Sequence, residues 1–596
     1  MSVQAVALRE SAGRRLRVAL GADVLALAGL AVLGIALAAL ARGTWGDRDS
    51  DTGYDVVAGS LVADGRLPYV DFVYYYGPLA PFLTGFAALV GGDGLGPAIA
   101  LGFLITFALI AATYAVARVF VRPLAAFIAG AFTAEVAFIP NNYSFVLPHT
   151  YAATLGTLLL LLIVLGVHRY AATGHVAWLV GVGAVTGILL LTKPEPAAAA
   201  LIAVAIWLLA RGLRGSHWVK ESALVLAPVL AIPAAAYGAL LTQVSLHSLV
   251  LDNLYPKATL DAGGNALVKA RMPLTAGSAL TVTGKLVLYA GGCAALLVLA
   301  RGLMRRDRLG RFLLGATVVG ALLVVAVAIA KPDGLREGFY YFYGWIPLGA
   351  AVALVVVAIR MRRRPAWTPE LEADLVLLTA LTVVAATTYG AFVTHGWRPQ
   401  MAVYYMPLVA VFLVRLHLVE LARSRPAALL GAAWLVFLVG AGTMLTLKDA
   451  HAESATVSGP GGALAAPQPE ASLYNAAIRE IEARTQPGDP IFVGPLLTGL
   501  YVVSGRENPL RQISLLPSAL PTLADQRDAI ARLDGAGVRL AITDRRKWKG
   551  YDQGAFGVTF DRALAGWLNQ KFVHVTTLST KGGDARKLDV WERAGE

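Results

Sequence analysis

The chain has 596 residues, 57% of them hydrophobic and only 15% charged, against roughly 25% charged in an ordinary soluble domain. A formal charge of +13 would suit a nucleic-acid partner if the basic residues formed one patch, but they fall in short clusters between apolar blocks, which excludes that role. The single cysteine, Cys293, lies inside an apolar block, so it makes no internal disulfide and reads as packing.

Arg9, Arg14, Arg15 and Arg17 precede a first apolar block at residues 18–41. Its basic flank and Ala36-Leu37-Ala38 are features of a signal peptide, but the apolar stretch is too long for one and reads as a retained helix. Further apolar helices are expected at about 96–120, 123–140, 150–167, 176–192, 197–211, 221–242, 281–301, 312–330, 340–359, 371–393, 400–419 and 427–447. That makes about 13 crossings. Arg211, Arg214 and Lys220 form one cluster, Arg301, Arg305, Arg306, Arg308 and Arg311 a second. Arg360, Arg362, Arg363 and Arg364 form a third, and Arg415, Arg423 and Arg425 a fourth. Basic clusters in alternate loops are the positive-inside signature. They predict an integral protein of the plasma (inner) membrane with a cytoplasmic N-terminus and, after an odd number of spans, an extracytoplasmic C-terminal region.

The expected outer loops are 42–95, 140–149, 192–196, 243–279, 331–338 and 394–400, and they hold most of the unusual polar residues. After the transmembrane part, residues 1–450, a segment at 451–471 rich in Ala, Gly, Pro and Ser reads as a linker. Residues 472–596 read as a soluble extracytoplasmic α/β domain. Ser472 is expected to cap a helix through about 484, with Ala476, Ile478 and Ile481 as apolar positions. Strand-like runs at 490–493, 539–543 and 572–575 alternate with a helical segment near 523–536. The fold class is therefore a polytopic α-helical membrane protein with a C-terminal α/β domain.

The first outer loop is the most informative. It contains Asp47, Asp49, Asp51, Thr52, Tyr54 and Asp55, then Gly65, Pro68, Tyr69, Asp71 and Phe72, then Tyr74-Tyr75-Tyr76-Gly77-Pro78-Leu79. Residues 51–63 suit a short helix with Asp51 at its N-terminus, where a carboxylate is favoured. Val56, Val57 and Leu61 would rest on the membrane surface. Gly65 ends the helix, and Pro68 starts an extended segment.

These residues resemble the first outer loop of the GT-C fold membrane glycosyltransferases, above all the branch of the protein O-mannosyltransferases and lipid A aminoarabinose transferases. Asp51 and Tyr54 match the acidic and aromatic positions, Gly65, Pro68, Tyr69, Asp71 and Phe72 the next stretch, and Gly77, Pro78 and Leu79 the last. Thr52 stands where the second acid is usual, which leaves Asp49, Asp55 and Asp71 as alternatives for that carboxylate. The resemblance implies an inverting transfer of a sugar from a polyprenyl-phosphate carrier to an extracytoplasmic glycan, lipid or protein acceptor.

Such a transfer needs a base for the acceptor hydroxyl and positive charge or a metal at the leaving phosphate. Asp51 is the candidate base; otherwise it is a solvated helix-start carboxylate. Asp71 is a candidate catalytic, substrate or metal contact, or else a turn residue. Asp49 and Asp55 read as solvated. Tyr54 and Tyr69 are candidate substrate contacts by motif position. Lys193, in a proline-broken turn with Glu195, suits a lipid phosphate as a point charge; the plainer alternative is headgroup anchoring or pairing with Glu195. Arg271, Lys331, Arg336 and Arg398 also lie outside and suit phosphate. Asn141, Asn142 and Tyr143 suit a sugar or a turn. Glu135 lies in or near a span, where an acid is costly unless paired or facing a cavity. A divalent metal is compatible with this chemistry, but no ligand spacing around His149 or His395 specifies one. Competing functions are a transporter or flippase for a lipid-linked sugar, a polymerase or ligase using a diphosphate-linked donor, and a non-catalytic assembly subunit.

Overall fold

The computed structural model describes residues 3–49, 51–140, 143–215, 217–261, 346–364, 366–393, 400–416, 425–517, 519–549, 552–580 and 585–595, with isolated positions between 277 and 330. The chain begins with α1 (Val3–Leu40), then forms α2 (Asp51–Ala63) and α3 (Leu79–Gly91). There follow α4 (Leu95–Phe120), α5 (Pro123–Ala137), α6 (Tyr151–Thr173), α7 (Ala177–Leu189), α8 (Pro194–Gly212) and α9 (Trp218–Leu241). After the undescribed stretch come α10 (Ile346–Arg363), α11 (Pro369–Val393), a 3₁₀ turn (Gln400–Tyr405), α12 (Met406–Arg415) and α13 (Arg425–Ala452).

Among the described residues, six helices are long and apolar enough to cross a membrane: Gly21–Leu40, Leu95–Phe120, Tyr151–Thr173, Pro194–Gly212, Trp218–Leu241 and Pro369–Thr388. Large apolar side chains such as Val32, Leu104 and Leu230 stay exposed on them, as a surface in contact with lipid requires. This is an integral membrane protein. The spans expected at 281–301 and 312–330 lie, apart from isolated positions, outside the described residues.

Residues 79–91, assigned above to the first outer loop, form an apolar helix lying directly on α2. Small residues permit that approach: a Cβ on Gly59 would come within 2.7 Å of Thr84 Oγ1, and one on Gly85 within 2.7 Å of Val62 Cγ1. Val56, Val57 and Leu61 are consequently buried in protein rather than resting on the membrane surface.

Within the segment read as a linker, β1 (Ala455–Gly459) and β2 (Gly462–Ala466) pair antiparallel. The hairpin is docked on the first loop, with Leu95 N donating to Gly461 O at 2.9 Å and Ala465 N to Gly43 O at 2.6 Å. Glycine permits close approach here rather than flexibility. The next helix, α14 (Gln468–Arg484), starts before Ser472, because proline at the start of a helix suits its first turn. Ser472 therefore lies inside the helix, its Oγ donating to Gln468 O.

Beyond it lie β3 (Phe492–Gly494), α15 (Thr498–Ser504), α16 (Leu523–Gly535), β4 (Leu540–Asp544), α17 (Arg562–Lys571), β5 (Phe572–Ser579) and β6 (Lys587–Arg593). The four strands form one sheet in the order β3-β4-β6-β5, with β3 and β4 parallel and the other pairs antiparallel. Phe492, Leu533, Ala541, Leu564 and Leu568 share a core over this sheet. β6 escaped the sequence reading because its two buried apolar residues, Leu588 and Val590, alternate with charged ones. The sheet's helices reach back to the first loop. A Cβ on Gly499 would lie 2.0 Å from Arg48 O, and Gly499 N donates to Asp49 O at 2.8 Å.

Asp561 is a buried acid in this region, and burial pushes its carboxyl up from 3.8 to about 8. In the unfolded chain it loses its proton near 3.8, whereas the folded chain keeps it to about 8. The group therefore subtracts stability increasingly as pH rises through that window and adds no penalty below it. Asp561→Asn should melt above the wild type at about pH 8, with the difference shrinking towards about pH 4. Thermal melts of the detergent-solubilised pair across that range measure it.

Candidate active site

The site begins with the cap of α2. Asp47 Oδ2 accepts from Asp51 N at 2.9 Å, its Oδ1 accepts from Asp49 N at 3.0 Å, and its own amide donates to Thr52 Oγ1 at 2.6 Å. This reciprocal arrangement ties up amides at the start of the helix. Thr52, the departure from the usual second acid, is thus a capping partner. The helix ends at Gly65, in the left-handed region at φ 82, with Arg66 N bonding Leu61 O.

Asp55, expected in solvent, is 1% exposed. Its Oδ1 accepts from Tyr74 Oη at 2.6 Å and its Oδ2 from Tyr151 N at 2.7 Å. Burial raises its carboxyl above the ordinary range against the pull of these bonds. Tyr54 stacks on Tyr74 and Tyr75, and its hydroxyl accepts from Tyr75 N and donates to Val73 O. Tyr69 is fully buried at φ 71 and donates to Tyr76 O. Both tyrosine hydroxyls are therefore engaged with the backbone of the loop.

The run Tyr74-Tyr75-Tyr76 is pinned to the turn between α7 and α8. Gly77 N donates to Thr192 O at 2.6 Å and Leu79 N to Leu191 O at 2.9 Å. Only glycine fits at 77, since a Cβ would lie 2.3 Å from the Leu191 carbonyl. Pro194 and Pro196 break the helix here as expected, and α8 restarts at Pro194 after an extended Lys193.

These two anchors gather a line of polar side chains. Asp51 Oδ2 lies 2.9 Å from His149 Nδ1, off the line of a hydrogen bond, so the contact is electrostatic. His149 Nε2 lies 3.1 Å from Tyr76 Oη. The carboxylate favours the tautomer with its proton on Nδ1, leaving Nε2 to accept from Tyr76. Burial and the nearby carboxylates of Asp51, Asp55 and Glu195 hold Tyr76 protonated far above the ordinary phenol range, consistent with its acting as that donor. The Lys193 ammonium sits 5.7 Å from the Tyr76 ring centroid and 3.3 Å from Glu195 Oε1. Tyr404, on the 3₁₀ turn, accepts the His149 amide at 2.7 Å.

The structure thus brings Asp51, Lys193 and Glu195 to one cluster, with Tyr54 stacked behind it. Asp71 is exposed, and its Oδ2 accepts from Leu67 N at 2.7 Å, closing its own turn. Glu135 is buried with its carboxylate against Gly442 of α13. Asn141, Asn142, Arg271, Lys331, Arg336, His395 and Arg398 lie outside the described residues. Tyr76 and the Asp51–His149 contact were not read from the sequence; the Tyr-Tyr-Tyr-Gly-Pro-Leu run was their only local signal. Among the described residues no group of three or more His, Cys, Asp or Glu gathers as a metal site. In chemical terms the cluster offers two carboxylates, an imidazole, a neutral phenol and a shielded ammonium.

No protein-family model matches the sequence, and no curated protein matches it. Among solved structures the chain is similar to the Archaeoglobus fulgidus oligosaccharyltransferase in complex with Zn and sulfate, at TM-score 0.45 and 14% identity over 91% of this chain and 71% of that one. It is similar to AglB from the same organism in complex with an inhibitory peptide and a dolichol-phosphate, at TM-score 0.44 and 15% identity over 93% and 72%. It is also similar to ArnT from Cupriavidus metallidurans bound to undecaprenyl phosphate, at TM-score 0.43 and 14% identity over 96% and 98%. At these scores the likeness transfers no residue's role.

Replacing Gly77 tests the anchor under the tyrosine run. Gly77→Ala should force the loop off Leu191 and destabilise the protein by about 1–3 kcal/mol. Gly96→Ala, whose Cβ would meet nothing within 4 Å, should be near neutral. Melting midpoints of both variants check the contrast.

Proposed function

We propose that this protein is an inverting glycosyltransferase that moves a sugar from a polyprenyl-phosphate carrier to an extracytoplasmic acceptor. The observation that carries this is the carboxylate of Asp51 at the start of a capped helix, against His149 and joined through Tyr76 to Lys193. The first-loop resemblance supplies the reaction class. In this reading the N-terminus is cytoplasmic, and residues 472–596 form an α/β domain on the outer face. The acceptor is a glycan, lipid or protein, and the donor enters from the bilayer.

The acceptor hydroxyl gives its proton to Asp51 as its oxygen bonds the anomeric carbon. The bond from that carbon to the phosphate oxygen breaks, and its electron pair leaves with the lipid phosphate. His149 orients the carboxylate. Lys193 meets the developing phosphate charge, exchanging its contact with Glu195 for one with the leaving group. Arg271 and Arg398 are further candidates for phosphate, Asn142 for the sugar and Asp71 for a catalytic, substrate or metal contact. A lipid-linked sugar transporter or a non-catalytic subunit is the alternative; neither requires a base at Asp51.

Asp51→Asn keeps the shape and removes the basicity. It should insert and purify normally yet transfer sugar about 10²–10⁴-fold more slowly, assayed with a panel of polyprenyl-phosphate sugars. Transfer within a few-fold of wild type would remove Asp51 from the role of base. Lys193→Ala should raise the KM for the lipid donor while leaving acceptor preference intact. An unchanged donor KM would assign the lysine to headgroup anchoring.

A further inference from the structure

Asp49, two residues before Asp51, bonds residues of the C-terminal region. Its Oδ1 accepts from Arg586 Nη1 at 2.7 Å and from the Tyr474 hydroxyl, and its Oδ2 accepts from Arg546 Nη1 at 3.1 Å. The two arginines are themselves held from behind. Asp544, with a fully buried side chain, accepts from Arg546 Nε at 2.7 Å and from Arg586 Nε at 3.0 Å. Two carboxylates and two guanidiniums therefore form a balanced cluster, with Arg586 also lying over the Tyr474 ring. Burial opposes the charge on Asp49, but Arg586 and Arg546 outweigh it and hold the carboxyl below its ordinary range.

Neighbouring Arg48 is tied to the same part of the chain. It bonds Glu453 at 2.8 Å, Glu470 at 2.9 Å and Ala465 O at 3.1 Å. The Asp49 carbonyl accepts from Gly499 N at 2.8 Å. The side chains of Arg48 and Asp49 thus bond the chain from Glu453 onward, while hydrogen bonds through Asp47 and Thr52 connect the same turn to Asp51.

We infer that Asp49, Arg546, Arg586 and Tyr474 form a positioning clamp through which the C-terminal sheet sets the start of α2, so that the site is incomplete without that sheet. The inference rests on the proposed role of Asp51. None of the four residues touches the reacting atoms. The clamp acts by fixing the turn that aims the carboxylate, and a displacement of about 1 Å at such a group can cost up to about 100-fold in rate.

The test uses the full chain in phospholipid nanodiscs and two readouts. Hydrogen exchange of amides 51–57 needs no substrate. It should quicken about tenfold or more in Asp49→Asn and in Arg586→Met, with the amides of α6 unchanged. With an undecaprenyl-phosphate sugar that the wild type uses, each variant should lose about 10–100-fold in kcat while donor KM stays constant. Arg586→Lys should recover part of the loss. Asp49→Asn combined with Arg586→Met should be no worse than either alone, because the two act as one unit. Should Arg586→Met fail to fold, Tyr474→Phe removes a single bond and should give the same pattern more weakly. Unchanged exchange at 51–57, a loss confined to KM, or fully additive losses would overturn the clamp. If the wild type transfers no sugar from any donor, the proposed function fails instead, and the exchange data alone decide the clamp.

Discussion

The buried carboxylate of Asp55 is the constraint on which the rest of the site depends. It joins the Tyr74 hydroxyl to the Tyr151 amide at the start of α6, so three separate segments converge on one side chain. Burying an acid is costly unless its oxygens find donors, and both oxygens of Asp55 accept a hydrogen bond. With α2 held at this point, its first residue, Asp51, is brought up against His149. The backbone bonds from Gly77 and Leu79 to the end of α7 then set the tyrosine run against Lys193. Neither anchor takes part in the proposed chemistry. Both act by removing freedom from the groups that do.

The first loop and the C-terminal region are joined across long sequence distances by small residues as much as by charge. Glycines at 53, 59, 85, 461 and 499 each sit where a Cβ would press on a neighbour. That lets α2 lie between α3 and α15 with little side chain in between. Ion pairs at Arg48 and Asp49 complete the joint. Exposed pairs of this kind contribute little, but here they are partly enclosed and share partners, so removing one strands the others. The C-terminal sheet and the first loop are therefore joined as one structural unit.

The apolar blocks and the short helix at Asp51–Ala63 were legible in the sequence because each follows from local rules. Length and hydropathy specify a span, and an acid at a helix start with a glycine at its end specifies a short helix. Helix α3 was not legible as a separate element, since its 13 residues are too short for a span and fall within the expected first outer loop. The hairpin at 455–466 read as a linker because Gly and Ala signal flexibility and close packing equally well. Ser472 read as a cap because serine is a favoured cap residue, whereas the helix starts four residues earlier, at Gln468, with Pro467 and Pro469 at its first turn.

What the sequence determined by itself was the membrane class and the position of several apolar helices, and it singled out Asp51 and Lys193 as candidates for the chemistry. Side-chain type and local spacing are enough for those. Only the tertiary structure decided what each carboxylate does. Asp47, Asp49, Asp51, Asp55 and Asp71 look alike in a single polar loop. In the fold one caps α2, one is clamped by arginines, one meets His149, one is buried as a junction and one closes a turn. The physical reason is that a carboxylate's role is set by its donors and its burial, and those partners come from residues as far away as Tyr151 and Arg586, which no local pattern in the loop contains.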